Sequence, residues 1–299
     1  SALEQVESNL KLYRSTGVAQ NLLIAGETGT GKTTLCKAIL ERYPKKVLPE
    51  RDLVPILYAS VPPAATIAGT VEAILSRLGD LEPERGTVSA KTARAVKISR
   101  GCGAEMLLLD EAQHIQDRGR SQTRYFVGDW LKSFMDAVGL PVTLLGLPRT
   151  EALLHVNEQL RRRFTHRLSI STIGNNSDGS GDELLQLFTS LSKALPLPIH
   201  PAPYGWRELG MRLHFATDGR IAYVKQILIS AYKYALAASI DRIDIPSLEL
   251  AFTSAVWSNG IGPLNPFHKD FHFRSLDRLG EPFQQGDIYV DQSSQRKKR

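Results

Sequence analysis

Gly26-Glu27-Thr28-Gly29-Thr30-Gly31-Lys32-Thr33 is a complete G-x-x-x-x-G-K-[ST] loop. The apolar run Asn21-Leu22-Leu23-Ile24-Ala25 leads into it, and Thr33-Thr34-Leu35-Cys36-Lys37-Ala38-Ile39-Leu40 leads out with helical character. A strand, a glycine-rich turn and a helix in that order aim several backbone N–H groups, and the positive end of the helix dipole, at one point. That point suits a phosphate. The expected cradle for ATP is Gly26, Glu27, Thr28, Gly29, Thr30, Gly31, Lys32, Thr33 and Thr34. Lys32 would reach the β- and γ-phosphates, and the Thr33 hydroxyl would sit on Mg²⁺.

Such a loop needs an acidic partner, and Met106-Leu107-Leu108-Leu109-Asp110-Glu111 supplies one. The apolar run reads as a buried parallel strand, so both acids emerge at its C-terminal end, where open α/β sheets bind ligands. Asp110 is the expected metal-side carboxylate. Glu111 is the expected group that orients or deprotonates an attacking water.

The 299 residues are enough for a sizeable core and a second unit. A hydrophobic fraction of 42% with 23% charged residues is ordinary globular composition. No apolar run reaches membrane-spanning length, and no basic-then-apolar leader precedes the first helix. The expectation is a cytoplasmic protein with no membrane partner, and Ser1 reads as a residue left by cloning or a truncated start. Cys36 and Cys102 fit no metal spacing and read as small reduced core residues. The net charge of +6 favours polyanion partners without choosing among them.

Leu3, Val6, Leu10 and Tyr13 predict an amphipathic N-terminal helix. Residues 54–59 predict a strand that Pro55 pushes toward a sheet edge or a strand start. Ile67, Val71, Ile74, Leu75 and Leu78 mark a helix, and residues 87–100 another. Phe126, Trp130, Leu131, Phe134 and Val138 mark a third, residues 141–145 a buried strand, and residues 167–170 the last strand. Alternation of this kind predicts an α/β unit, a parallel five-stranded sheet between helices, over residues 1–172. A Gly/Asn/Ser-rich stretch, residues 174–181, reads as a flexible linker or an exposed loop, and Ser180 with Glu183 as a capping box. Residues 173–259 then read as a small all-α lid, with a long helix over residues 219–238 and another opened by Asp244-Ile245-Pro246. Residues 260–299, ending in Arg296-Lys297-Lys298-Arg299, read as an extended basic tail.

The loop, the acidic strand end and the helical lid together resemble an AAA+ ATPase. Residues 101–115 and 157–164 narrow the resemblance to the transposition regulators TniB, TnsC and MuB, and Asn265-Pro266-Phe267 is similar to the same family. The resemblance implies an ATP-hydrolysing protein that oligomerises as a ring or helical filament on double-stranded DNA. It implies a link between a target-selector protein (TniQ/TnsD-like) and a DDE transposase, in some members within a CRISPR-associated transposon. It also implies an arginine that reaches a neighbouring subunit's γ-phosphate. Arg163 best matches that position, with Arg162 second. Two positions depart from the usual pattern. Leu147 stands where a polar sensor is expected, with Thr143 or Arg149 as substitutes, and Tyr223 stands where a lid arginine is expected, with Arg220 one turn earlier.

Arg85, Lys91, Arg94, Lys97 and Arg100 lie in or beside the helix before the acidic strand. Lys91, Arg94 and Lys97 would share one broad face for phosphate contact. Arg118, Arg120 and Arg124 form a second basic stretch. Other readings are an ExeA-like secretion ATPase, a DNA-loading ATPase and a non-hydrolysing nucleotide-gated scaffold. The first would carry a membrane segment and the second a winged-helix or helix-turn-helix domain.

Overall fold

The computed structural model describes residues 1–63, 66–115, 121–156, 158–173 and 182–284, with backbone only for residues 121–125 and 156. The chain divides into two compact units, Ser1–Ser171 and Thr172–Arg299.

The first unit runs α1 (Ala2–Thr16), β1 (Leu22–Gly26), α2 (Lys32–Arg42), a two-stranded antiparallel ribbon of β2 (Lys46–Val47) and β3 (Asp52–Leu53), β4 (Ile56–Ser60), α3 (Ile67–Arg77), α4 (Val88–Gly101), β5 (Met106–Asp110), α5 (Ser121–Val138), β6 (Val142–Gly146), α6 (Glu151–Val156), α7 (Glu158–Arg163) and β7 (His166–Ile170). The five long strands form one sheet in the order β4-β5-β6-β1-β7, paired in parallel throughout. β4 is an edge strand, as Pro55 predicts.

Strand alternation sorts the core into two layers. Leu23, Leu107 and Leu109 face one way, into a cluster with Val71, Ile74, Leu75, Leu131 and Phe134. Leu22, Ile24, Met106 and Leu108 face the other, against Val6, Leu10, Cys36 and Ile39. These strands are therefore apolar on both faces, which is why they read as unbroken hydrophobic runs. Each fully buried Leu or Ile contributes roughly 1.5–3 kcal/mol. Local capping sets the helix starts. The Thr66 and Thr87 hydroxyls accept from Gly69 N at 3.1 Å and Ala90 N at 3.3 Å. Of the residues that mark α5, Phe126 departs from the amphipathic reading, since it is 60% exposed.

The second unit holds α8 (Asp182–Ser192), α9 (Gly205–Thr217), α10 (Ile221–Ala237) and α11 (Ile245–Ala255). Asp244 caps α11 by accepting from Ser247 N at 3.0 Å, with Pro246 in the first turn. The proposed Ser180 cap and the whole of the linker, residues 174–181, lie outside the described residues. Beyond α11 the chain is irregular, as expected, with one 3-10 turn at Gly262–Leu264 among the described residues. Through Gln284, however, it is not a loose tail. Phe267, Phe271, Leu276 and Phe283 are buried in the helical core. Asn265 Nδ2 donates to Glu249 O at 2.9 Å and Gly260 O at 3.0 Å, while its Oδ1 accepts from Phe267 N at 3.0 Å. Arg212, 2% exposed, donates to Pro266 O and His268 O, both at 2.7 Å, and lies 3.7 Å from the Tyr204 ring centroid. The basic end, Arg296 to Arg299, lies outside the described residues. Among those residues, no helix is long and apolar enough to cross a membrane.

Candidate functional site

The loop between β1 and α2 is built by backbone geometry that only glycine accepts easily. Gly29 and Gly31 have φ of 83° and 98°. A Cβ on Gly26 would lie 2.7 Å from Ile170 O and 2.9 Å from Thr30 Oγ1. The Thr30 hydroxyl closes the turn by donating to Glu27 O at 2.8 Å. Lys32, only 6% exposed, donates from Nζ to Gly26 O at 2.7 Å and Glu27 O at 2.8 Å. Burial lowers its pKa, and the carboxylates of Glu111, Asp110 and Glu27 oppose that shift. The ammonium thus lies at the loop's own mouth, in a field of three acids.

The acidic strand end comes to the same place. Thr33 Oγ1 donates to Asp110 Oδ2 at 2.8 Å. Tyr58 Oη, from the edge strand, donates to the same oxygen at 3.2 Å, and Glu111 N donates to Asp110 Oδ1 at 2.9 Å. Asp110 is 1% exposed, so its orientation is fixed from three sides. Burial and the Asp110 charge both push the Tyr58 phenol's pKa up, which keeps it a neutral donor. Glu111 turns out of the strand at φ 56°, a left-handed conformation that a glutamate adopts at a cost. Its side chain is 40% exposed and lies beside the loop rather than in the core.

The sheet order explains the remaining geometry. β6 lies between β5 and β1, so its C-terminal end falls between the strand ends that carry the acids and the loop. Gln113, 2% exposed, fills that position. Its Nε2 donates to Glu111 Oε2, and its Oε1 accepts from Leu147 N at 3.1 Å. Sequence reading assigned neither Gln113 nor Tyr58 a role. Gln113 stands inside a stretch quoted for its family likeness, but its partner at Leu147 is 34 positions away. Leu147 thus contributes to the site through its backbone. Thr143 does not substitute for a polar sensor, because it pairs with Leu22 and Leu108, well short of the strand's C-terminal end. Arg149 lies exposed in the 3-10 turn Pro148–Thr150.

Thr33 and Asp110 fit a hard divalent cation. Both donors are oxygens, and an octahedral ion held by few protein ligands takes the rest of its shell from phosphate and water. Among the described residues, no three His, Cys, Asp or Glu cluster as a self-sufficient metal cage.

The arginine cluster lies elsewhere on the first unit. Arg163 pairs with Asp136 at 2.5 and 2.9 Å, and its Nε is buried without a hydrogen-bond partner. Arg162 pairs with Glu158 at 2.7 Å and is 76% exposed. Both line a cleft of about 310 Å³ with Gln20, Asn21 and Thr165. In the second unit, Arg220 precedes α10, 3.3 Å from Asp218. Tyr223, at the position where a lid arginine was expected, packs on Phe283 with centroids 5.6 Å apart.

The expected cationic face of α4 is corrected. Lys91 is buried, 6% exposed, with its ammonium 2.5 Å from Glu72 of α3. Arg94 Nε is 2.5 Å from Asp80, and its two terminal nitrogens donate to Arg85 O and Glu82 O at 3.1 and 2.8 Å. Lys91 falls on the inward stripe of α4 with Ala95 and Ser99, four-residue steps that override the three-residue spacing used for a basic face. Arg85 pairs with Glu82 at 2.8 Å, and Arg100 donates to Ala137 O at 2.6 Å while remaining exposed. Lys97 is exposed. Arg118 and Arg120 lie outside the described residues, as does the Arg124 side chain.

A family model described as the bacterial TniB protein matches residues 1–170. No curated protein matches the chain in sequence. Cdc6p from Pyrobaculum aerophilum aligns with a TM-score of 0.64 at 16% identity, over 88% of this chain and 68% of that one. The Aeropyrum pernix ORC1 protein in complex with DNA gives 0.62 at 19% identity, over 85% and 64%. The Thermotoga maritima RuvB Holliday junction branch migration motor gives 0.51 at 18%, over 85% and 67%. At these identities the likeness is one of fold, and the fold is that of AAA+ proteins.

Proposed function

The chain belongs to the TniB family, and from that membership and the loop geometry we propose that it hydrolyses ATP and uses it to assemble on duplex DNA as a transposition regulator. The observation that carries the hydrolytic part is the 2.8 Å contact of Thr33 with Asp110, with Lys32 and Glu111 on either side of it. In this reading Lys32 exchanges the carbonyls of Gly26 and Glu27 for β- and γ-phosphate oxygens. Thr33 and Asp110 would hold Mg²⁺, which would neutralise charge on the phosphates. Glu111 accepts the proton of a water whose oxygen bonds to the γ-phosphorus as the bridging P–O bond breaks and ADP leaves with the electron pair.

Arg163 serves the neighbouring copy. Its ion pair with Asp136 is partly exposed, so opening it costs about 0–1 kcal/mol. A phosphate dianion in a transition state offers more. Arg163→Ala therefore binds ATP normally but hydrolyses it poorly. Mixing it with Lys32→Ala restores part of the activity, because each variant keeps the half-site the other lacks. Phosphate release from mixtures of folded, co-assembling variants checks this, and no rescue at any ratio removes the arginine from the neighbour's site. Arg220 is proposed to sense the nucleotide from the lid, and Arg162 to act as the alternate finger.

The DNA reading now rests on fewer cations. Lys97 and Arg100 are the exposed pair on α4, joined by Arg118, Arg120 and Arg124. Contacts to phosphates are sequence-independent and release counterions, so affinity falls steeply with salt. The variant with all five replaced by Ala flattens the slope of log affinity against log salt by about one for each phosphate that is no longer neutralised. Lys91→Ala leaves the slope unchanged and lowers thermal stability instead. Salt titrations with ATP saturating separate these outcomes, and identical slopes for wild type and the five-fold variant place DNA on another surface. A DDE transposase and a TniQ/TnsD-like selector are the proposed protein partners, and the cytoplasm, which holds both ATP and DNA, is the proposed setting.

A further inference from the structure

Gln113 has both ends of its amide committed, and the commitments fix its orientation. Nε2 donates to Glu111 Oε2, and Oε1 accepts from Leu147 N at 3.1 Å. A flipped amide would set N–H against N–H at Leu147 and oxygen against carboxylate at Glu111. The side chain is 2% exposed, so water does not compete for either bond. The β6 end is shaped around it. A Cβ on Gly146 would come within 2.8 Å of Gln113 Oε1 and 2.3 Å of Thr150 Oγ1. Glu111, at φ 56°, has left the strand and has no ladder to hold it.

We propose that Gln113 is a positioning residue that ties the carboxylate of Glu111 to the end of β6, so that the backbone at Gly146-Leu147 performs the task for which a polar side chain was expected at Leu147. This rests on the assignment of Glu111 as the base. A carboxylate that is 40% exposed would otherwise sample several rotamers. His114 Nε2 lies 3.9 Å from Glu111 Oε2, beyond hydrogen-bond reach, and the bond from the buried Gln113 amide to that oxygen selects among those rotamers. The same bond lets any displacement of the β6 end change the base's position without touching the nucleotide loop.

A double-mutant cycle tests this. Gln113→Met keeps the volume and removes both hydrogen bonds. It lowers kcat about tenfold or more with KM for ATP within about twofold, since the loop and Lys32 are untouched. In a Glu111→Gln background the same substitution has no further effect on residual single-turnover hydrolysis, because the group it positions is already gone. Gly146→Ala displaces Gln113 from the other side and follows the same pattern, which keeps the test available if Gln113→Met does not fold. An equal loss in both backgrounds shows a merely structural residue and overturns the proposal, as does a Gln113→Met enzyme with wild-type kcat. If Glu111→Gln itself hydrolyses like wild type, the assignment of the base has failed instead, and the positioning role falls with it.

Discussion

Glu111→Gln keeps ATP affinity within about twofold of wild type and lowers turnover by about 10²–10⁴-fold, the range that loss of a general base produces. The substitution is nearly isosteric, and its amide oxygen can still accept from Gln113 Nε2. What it cannot do is accept a proton from water. Asp110, Thr33 and Lys32 keep their mutual arrangement, so the phosphates are still held. Because binding persists while hydrolysis stops, any assembly that ATP stabilises accumulates. Complexes on duplex DNA should therefore live longer with this variant than with wild type. Steady-state phosphate release and the dissociation rate of DNA complexes measure the two halves separately. Unchanged release removes Glu111 from the chemistry.

Lys32→Ala has the largest expected effect on binding. Its ammonium is buried among backbone carbonyls at the loop mouth and is the charge proposed to meet the phosphates. Deleting one member of a desolvated charge pair costs roughly 2–5 kcal/mol, or about 30- to 4000-fold in affinity. The loop itself should survive, since its shape is set by Gly29, Gly31 and the Thr30–Glu27 hydrogen bond. The prediction is a folded protein of normal melting behaviour that no longer binds ATP in the micromolar range and, without an ATP-binding partner copy, no longer assembles with it. Calorimetric titration checks the first point and sedimentation the second. Wild-type affinity in this variant contradicts the assignment of the loop.

What was legible in the sequence was local. The phosphate loop and the acidic strand end each lie within a single run of residues, and the sheet that holds them follows from apolar runs. What was not legible depends on partners remote in sequence. Lys91 looked like one of three surface cations until Glu72, nineteen positions away, proved to hold it. Arg94 likewise is held by Asp80, on the connection that precedes α4. Composition records such residues as charge, and only packing decides whether the charge faces solvent. Gln113 escaped notice because a lone amide carries no motif, and its role depends on β6 inserting between β5 and β1. The segment after residue 260 was read as a tail because its aromatics follow no helical or strand period. Asn265 and Arg212 hold it to the helices by bonds to backbone carbonyls, which leave no periodic trace.

The central claim is that one site couples ATP hydrolysis to assembly on DNA. Its most direct test records light scattering and phosphate release together, in one sample of the wild-type chain with duplex DNA. With ATP the expected result is a rise in scattering, phosphate release during the plateau, and a fall as ATP is exhausted. With ADP no rise is expected. Equal scattering without nucleotide, or a plateau that persists with no phosphate released, would contradict the claim.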